Sequence, residues 1–171
     1  GYVAYDHGNN SMQFGTSSTE GMRIDSSGNV TMPLQPAFQA IPATNQVDMA
    51  INTNVTIVFG TELFDVGSNF ASNTFTAPVT GKYQLNANIR LNNVDSAATY
   101  YIIYIVTSNR VYYTIEDPTK YSGDVNYKSY NISVLADMDA SDTAKVNHFF
   151  NAGTVTLDII STSSFSGYLA C

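Results

Sequence analysis

The chain has 171 residues, which leaves room for one ordinary domain and an appendage. Its hydrophobic fraction of 44% is ordinary for a globular protein, whereas its charged fraction of 12% is about half the usual share. The formal net charge of −7 argues against nucleic acid as a partner, because phosphate binding needs clustered Lys and Arg and the seven basic residues are scattered.

The single cysteine, the N-terminus and the lack of long apolar stretches exclude further classes of protein. Cys171 is the only cysteine, so an intramolecular disulfide and paired-cysteine zinc or redox motifs are excluded. The N-terminus lacks the basic and apolar regions of a signal peptide, and no stretch approaches the roughly 20 apolar residues that span a bilayer. We therefore expect no membrane insertion. Because the sequence begins at Gly1 in the middle of a pattern, it is expected to be a fragment of a longer chain.

Residues 1 to 35 hold very short apolar pieces separated by clusters of Gly, Asn and Ser. The pieces are Val3/Tyr5, Met12/Phe14, Met22/Ile24 and Val30/Met32. Hairpins this short are marginal alone and become stable when they repeat along an axis or pair with other chains. This pattern predicts a β-rich segment that depends on partner copies, with a floppy tail as the alternative.

Residues 36 to 171 are dominated by strand signals. The clearest strand is 81–91, where Tyr83, Leu85 and the apolar residues at 87, 89 and 91 alternate with polar side chains. The other predicted strands are 37–41, 55–59, 74–77, 100–106, 111–116, 128–135, 144–150, 155–161 and 166–170. About ten short strands with turn residues between them predict an all-β fold, an antiparallel sandwich or jelly roll.

The strand 100–106, YYIIYIV, does not alternate, because both of its faces are apolar. In a sandwich only one face of a strand meets the opposite sheet, so the other face needs a different partner. We expect the core face to be Tyr101, Ile103 and Ile105. The partner face, a predicted trimer interface, is then Tyr100, Ile102 and Tyr104, although the opposite assignment of faces is also open.

Phe75, Pro78 and the run GKYQL at 81–85 resemble the globular head of complement C1q and its relatives in the tumour-necrosis-factor superfamily. Residues 36–40, 142–146 and 165–169 resemble further strands of that family in the same order. The sequence departs from the family at Leu85 and Ala87, where aromatic residues are usual, and at Ser141, where the family has glycine. The resemblance implies a ten-stranded jelly roll that forms compact three-fold trimers.

Residues 14–30, FGTSSTEGMRIDSSGNV, resemble an element of bacteriophage tail-fibre and tail-spike proteins that often stands just before a C-terminal tip domain. The element also occurs in some bacterial surface proteins. In the phage family it implies a trimeric stalk, with three chains contributing β-structure around one axis. The two resemblances divide the chain into a fibre stalk segment, 1–35, and a C1q-like head domain, 36–171.

The sequence gives little support to catalysis or metal binding. His7 and His148 are the only histidines, and there is no Gly-x-Ser-x-Gly nucleophile motif or phosphate-cradling glycine loop. We therefore expect no enzyme and no cofactor, although carboxylates that converge in space could still act on a glycoside. Asp137, Asp139 and Asp142 form one acidic cluster that could hold Ca²⁺, with a solvated loop as the alternative.

The longest polar connection, Glu116–Lys128, is the predicted receptor site. Loops on a rigid scaffold often carry recognition, and aromatic faces flanked by carboxylates and amides suit sugar rings. The residues are Asp117, Lys120, Tyr121, Asp124, Asn126, Tyr127 and Lys128. The alternative is that the tyrosines cover the edge of the sandwich or line the trimer contact.

These features favour a structural and binding protein: the homotrimeric distal tip of a phage tail fibre in the virion. The head would bind a host cell-surface glycan or protein, and the stalk would join the remainder of the fibre. A secreted or bacterial-surface C1q-like adhesion module is the alternative, and a polysaccharide depolymerase is the third hypothesis.

Overall fold

The computed structural model describes every residue from 1 to 171 and divides the chain into two compact units, Gly1–Pro36 and Ala37–Cys171. Both units are built from antiparallel β-strands. The one helical element is a three-residue 3-10 helix at Pro118–Lys120. No helix in the chain has the length and apolar character that crossing a membrane requires.

The N-terminal unit is a single four-stranded sheet in which each strand pairs with the next along the chain. Its strands are β1 (Tyr2–Asp6), β2 (Ser11–Thr16), β3 (Thr19–Ile24) and β4 (Val30–Thr31). The turn between β3 and β4 is built around Asp25, whose carboxylate accepts hydrogen bonds from the backbone N–H groups of Ser27 and Asn29. Gly28 lies in this turn at a φ of +84°, a left-handed conformation that glycine adopts without steric cost.

One face of this four-stranded sheet is mainly apolar, with the pair Thr16 and Thr19 at one end. Cross-strand pairing places on it one row of Val3, Phe14 and Met22 and a second row of Tyr5, Met12, Ile24 and Val30. None of these side chains is buried, and Val3 is 67% exposed. The N-terminal unit therefore has an apolar surface but no hydrophobic core of its own.

The C-terminal unit contains the other strands, arranged as two sheets. They are β5 (Ala37–Ile41), β6 (Val55–Thr56), β7 (Thr61–Val66), β8 (Phe70–Ala71), β9 (Thr74–Thr76), β10 (Gly81–Val94), β11 (Tyr100–Thr107), β12 (Val111–Glu116), β13 (Val125–Met138), β14 (Thr143–Asn151), β15 (Asp158–Ile159) and β16 (Ser164–Leu169). Sheet I has the order β13-β10-β16-β5-β7, with β15 also paired to β10. Sheet II has the order β12-β11-β14-β9-β8, with β6 also paired to β14.

The core between the two sheets is rich in aromatic side chains. The ring centroid of Phe38 lies 4.6 Å from that of Phe75 and 5.0 Å from that of Phe165, so strands of both sheets contribute to one cluster. Tyr101 is also buried there, and its hydroxyl donates a hydrogen bond of 2.8 Å to the backbone carbonyl of Asp95. Burial of these rings provides much of the stabilisation, because each removes a large apolar area from water.

Two long strands have the predicted core faces. In β10 the apolar residues from Tyr83 to Leu91 are all buried, while the intervening polar side chains face out. In β11 the core face is formed by Tyr101, Ile103 and Ile105, which confirms the predicted assignment. The side chains on the other face of β11 are half-buried.

Three strand predictions for the C-terminal unit were wrong in extent, and two of its strands, β7 and the two-residue β8, were not predicted. The predicted strands 55–59 and 155–161 are reduced to two residues each, β6 and β15. Strand β13 begins at Val125 rather than at 128, because it pairs with β10 along nearly its whole length. The connection after Glu116 therefore ends at Asp124 and is shorter than predicted. Strand β7, an exposed edge strand, was missed because its sequence TELFDV does not alternate.

Candidate functional site

The residues of the predicted receptor site lie in three separate places. Lys120, Tyr121 and Lys128 gather around the carboxylate of Glu116. Tyr127 lies on the outer face of sheet I, where the guanidinium of Arg90 sits 5.2 Å from its ring centroid. Asp124 and Asn126 lie at the start of β13, and Asp117 caps the 3-10 helix next to the Glu116 group. The aromatic rings of the two tyrosines therefore do not form one platform.

Glu116 is the centre of an ionic network that fixes the connection between β12 and β13. Its carboxylate is 10% exposed and accepts a hydrogen bond of 2.6 Å from the hydroxyl of Tyr121. The ammonium of Lys128 lies 3.1 Å from the same carboxylate, and Lys120 forms a further ion pair with it. Burial raises the pKa of Glu116, but the hydrogen bonds from these three residues outweigh it and lower the pKa to about 2.

Two aspartates of the predicted site hold the backbone of this connection in place. Asp117 caps the 3-10 helix, since its carboxylate accepts a hydrogen bond from the backbone N–H of Thr119 at 2.9 Å. This bond and the hydroxyl of Thr119 lower the pKa of Asp117, with the hydroxyl as the larger cause. Asp124 uses one carboxylate oxygen, Oδ1, to accept hydrogen bonds from the backbone and hydroxyl of Ser96.

Asp124 and Asn126 also line a polar depression at one end of the sandwich. The depression has a volume of about 510 Å³, within the range of about 300 to 1,000 Å³ that is usual for ligand sites. Four chain segments form it: the connection between β5 and β6, the end of β10, the start of β13, and the connection from β14 into β15. Its lining residues are Val47, Asp48, Asn93, Asp124, Asn126, Thr154, Thr156 and Asp158.

The depression is held in shape by hydrogen bonds between segments far apart in sequence. Asp158 accepts one from the backbone N–H of Asp48 at 3.0 Å and another from the side-chain amide of Asn93 at 2.9 Å. Asp95 lies behind Thr154, which forms part of the wall of the depression, and is 6% exposed. Its carboxylate accepts hydrogen bonds of 2.6 Å from the backbone N–H and the hydroxyl of Thr154. The hydroxyl of Thr154 is the largest cause of the lowered pKa of Asp95.

Gly153 allows the Thr154 segment to approach Asp95 closely. Its φ is +82°, and a Cβ at this position would lie 2.9 Å from the Asp95 carboxylate and 3.1 Å from the Cβ of Ala98. Any larger residue would push this wall outward. The sequence offered no signal for six of the eight lining residues, because no motif connects their segments; they are Val47, Asp48, Asn93, Thr154, Thr156 and Asp158.

The acidic cluster at 137–142 does not form a metal site. Asp137 pairs with Arg110 at 3.2 Å, and Asp142 accepts hydrogen bonds from the side chain of Asn109 and the backbone N–H of Asp139. The chain contains no group of three or more His, Cys, Asp or Glu residues that could hold a metal ion. The structure therefore gives no support to the Ca²⁺ possibility.

The histidines are not arranged with a nucleophile. His148 is fully buried in the core and stacks on Phe150 with ring centroids 4.2 Å apart, and neither ring nitrogen has a hydrogen-bond partner. Burial lowers its pKa to about 4. His7 is exposed in the N-terminal unit and contacts the ring edge of Tyr5.

The outer face of sheet II carries an apolar patch that extends the predicted trimer interface. Its directly opposed pairs are Tyr104–Tyr113, Ile102–Ile115 and Val106–Val111 across β11 and β12, with Phe149 opposite Ile102 on β14 and stacked on Tyr100. In β12 the apolar side chains face solvent, and Tyr113 is 62% exposed. We define this set as the sheet II patch.

Comparison with known proteins bears on the fold. No protein-family model matches the sequence, and no curated protein matches it. Among solved structures, the globular domain of the zebrafish complement 1qA protein is similar, with a TM-score of 0.59 and 15% sequence identity over 80% of this chain and 98% of that chain. Together with the sheet order, this similarity confirms the predicted fold: the chain contains an all-β, antiparallel jelly-roll module of the C1q-like type.

Proposed function

We propose that this chain is the distal end of a bacteriophage tail fibre, located in the virion, and that its C1q-like head binds a saccharide on the host cell surface. The stalk-like element at 14–30 and its position before a jelly-roll module support this assignment. The remainder of the fibre is the proposed partner of the N-terminal unit. The proposed activity is binding rather than catalysis; His148, the histidine of the head, is buried and neither of its ring nitrogens has a hydrogen-bond partner.

The polar depression is the observation that carries the binding proposal. It combines hydroxyls, carboxamides and carboxylates with one exposed apolar side chain, Val47, which is the mixture that a sugar ring with its hydroxyl groups requires. It also lies at an end of a rigid sandwich, where four chain segments meet. Such positions are where rigid scaffolds usually carry recognition.

The uncovered apolar surfaces support a homotrimer. The N-terminal sheet has one mainly apolar face and no core, and the C-terminal module has the sheet II patch. Contiguous exposed apolar surfaces of this kind mark interaction sites in soluble proteins. Both sequence resemblances imply three-fold assembly, so we assign the covering partner to two further copies of this chain. Three copies would also present three depressions and strengthen attachment through avidity.

The test is binding of fluorescently labelled protein to cells of the bacterium that the phage infects. Asn126→Ala removes a lining carboxamide that has no partner within the protein. We expect this variant to bind at least about tenfold more weakly, the loss typical of one or two polar contacts. The matched control is Asn131→Ala, which removes the same group from the exposed outer face of the same strand and should bind as the parent protein does.

The two other hypotheses are distinguished by the same preparation. Release of reducing ends from host polysaccharide would identify a depolymerase and contradict a purely binding role. Equal loss of binding in the Asn126 and Asn131 variants, or no loss in either, would place the receptor site outside the depression.

A further inference from the structure

The depression offers many hydrogen-bond acceptors and few donors. The carboxylate of Asp48 and the Oδ2 atom of Asp124 have no partner within the protein, and the Oδ1 atom of Asn93 is also free. The free donors are the amide of Asn126 and the hydroxyl of Thr156, which makes only a long contact of 3.5 Å with Thr154. A ligand that satisfies this wall must mainly donate hydrogen bonds.

The charge of the depression is wholly negative. Asp48, Asp124 and Asp158 contribute three carboxylates to the lining, and Asp95 lies directly behind Thr154. No Lys, Arg or His lines the depression. A carboxylate, sulfate or phosphate on a ligand would therefore meet like charges without compensation, which disfavours binding.

We propose that the depression selects a saccharide that carries a free ammonium group, such as an amino sugar without an N-acetyl group, and rejects acidic saccharides. Hydroxyl groups and an ammonium group together supply the donors that the wall lacks, and the ammonium group neutralises part of its charge. Asp48 is the residue assigned to the ammonium group, because its whole carboxylate is free while those of Asp124 and Asp158 are partly or fully engaged. This assignment rests on the proposed saccharide-binding function.

The experiment uses three soluble oligosaccharide probes of equal length: β-1,4-linked glucosamine, its N-acetylated form, and an oligogalacturonate. Binding is measured by calorimetry at pH 6 and at two salt concentrations. We expect glucosamine oligomers to bind about tenfold more tightly than the N-acetylated form. Replacing a neutral hydrogen bond with one between charged groups raises the affinity by about that factor. No binding of the acidic oligomer is expected.

Variants separate the site from the general negative charge of the protein. Asp48→Asn removes the proposed charge and keeps a residue that tolerates the positive φ of +52° at this position. It should abolish the preference for the amine. The control Glu62→Gln removes one charge from an exposed side chain of β7 that has no ion-pair partner, and it should leave the preference unchanged.

The results distinguish a wrong ligand class from a wrong proposed function. Equal binding of the amine and N-acetyl forms, or tighter binding of the acidic oligomer, overturns the ligand class while leaving a saccharide site in place. A preference for the amine that Asp48→Asn and Glu62→Gln reduce equally would be attraction to net charge and would also overturn it. If none of the probes binds and host cells are not bound either, the proposed function itself fails.

Discussion

Tyr104 and Tyr113 face each other across β11 and β12 on the outer face of sheet II, with ring centroids 6.4 Å apart. Tyr104 is half-buried by its neighbours, whereas Tyr113 is mostly exposed. The pair lies at the centre of the sheet II patch and has no layer of protein above it in a single chain. If copies of the chain associate through this patch, the two rings lie in the contact.

The first prediction concerns this assembly. The protein should scatter light with a mass about three times 18.6 kDa, and Tyr104→Asp should reduce that mass to a single chain, because an unpaired charge buried in an interface costs several kcal/mol. Asn131→Asp adds the same charge to the outer face of sheet I and should leave the mass unchanged. A parent protein of 18.6 kDa would refute the trimer.

The second prediction concerns the independence of the two units. Deletion of residues 1–32 should leave a folded C-terminal module, because all of the buried hydrophobic side chains lie between Phe38 and Phe165. Circular dichroism should show the β-type spectrum and a cooperative thermal transition. Loss of that transition would mean that the two units fold only together.

The third prediction separates the two tyrosines of the predicted receptor site. Tyr121→Phe removes the hydroxyl that donates to Glu116 and should lower the free energy of unfolding by about 1 to 2 kcal/mol, as two lysines still bind the carboxylate. Tyr127→Phe removes an exposed hydroxyl without a protein partner, and it should change stability by less than about 0.5 kcal/mol. Urea unfolding of the two variants measures both effects, and equal values would contradict the Glu116 network.

The fourth prediction is a pH dependence caused by His148. Burial lowers its pKa in the folded chain to about 4 from an ordinary value of 6.5. As pH falls from 6.5 to 4, the His148 imidazole is protonated in the unfolded chain but stays neutral in the folded chain. The free energy of unfolding therefore decreases with falling pH in this window. The full contribution amounts to about 3 kcal/mol.

His148→Phe keeps an aromatic ring against Phe150 and removes the titrating group. The difference in unfolding free energy between this variant and the parent protein should therefore change by about 3 kcal/mol between pH 7 and pH 4. Carboxylates such as Glu116 affect both proteins alike and cancel in the difference. A difference that stays constant with pH would mean that water or a polar group satisfies the imidazole in the folded protein.

The fold was predictable because its strands obey a simple period. In β10 the core residues alternate with polar residues, so its faces follow from the sequence alone. Strand β11 is apolar on both faces, so its sequence predicted a strand but left the opposite assignment of its faces open. Strand β13 was misplaced at its start because Val125, Asn126 and Tyr127 carry no apolar alternation. These residues are extended because they pair with the end of β10, a contact between segments more than thirty residues apart.

The candidate site was less predictable for the same physical reason. Asp124 and Asn126 belong to a segment that the sequence already singled out, but Asp48 and Asp158 are 110 residues apart and meet only in the folded chain. The sequence also did not show that Lys120, Tyr121 and Lys128 would bind Glu116. The composition of a loop identifies polar side chains without specifying which of them bind each other.

The most direct test of the proposed role is competition for phage adsorption. Purified protein is added to host cells before the phage, and free phage are counted after a fixed time. We predict that the parent protein and Asn131→Ala reduce adsorption in proportion to their concentration, whereas Asn126→Ala does so at least about tenfold less effectively. Adsorption that is unaffected by saturating parent protein would contradict the assignment of this chain as the receptor-binding tip.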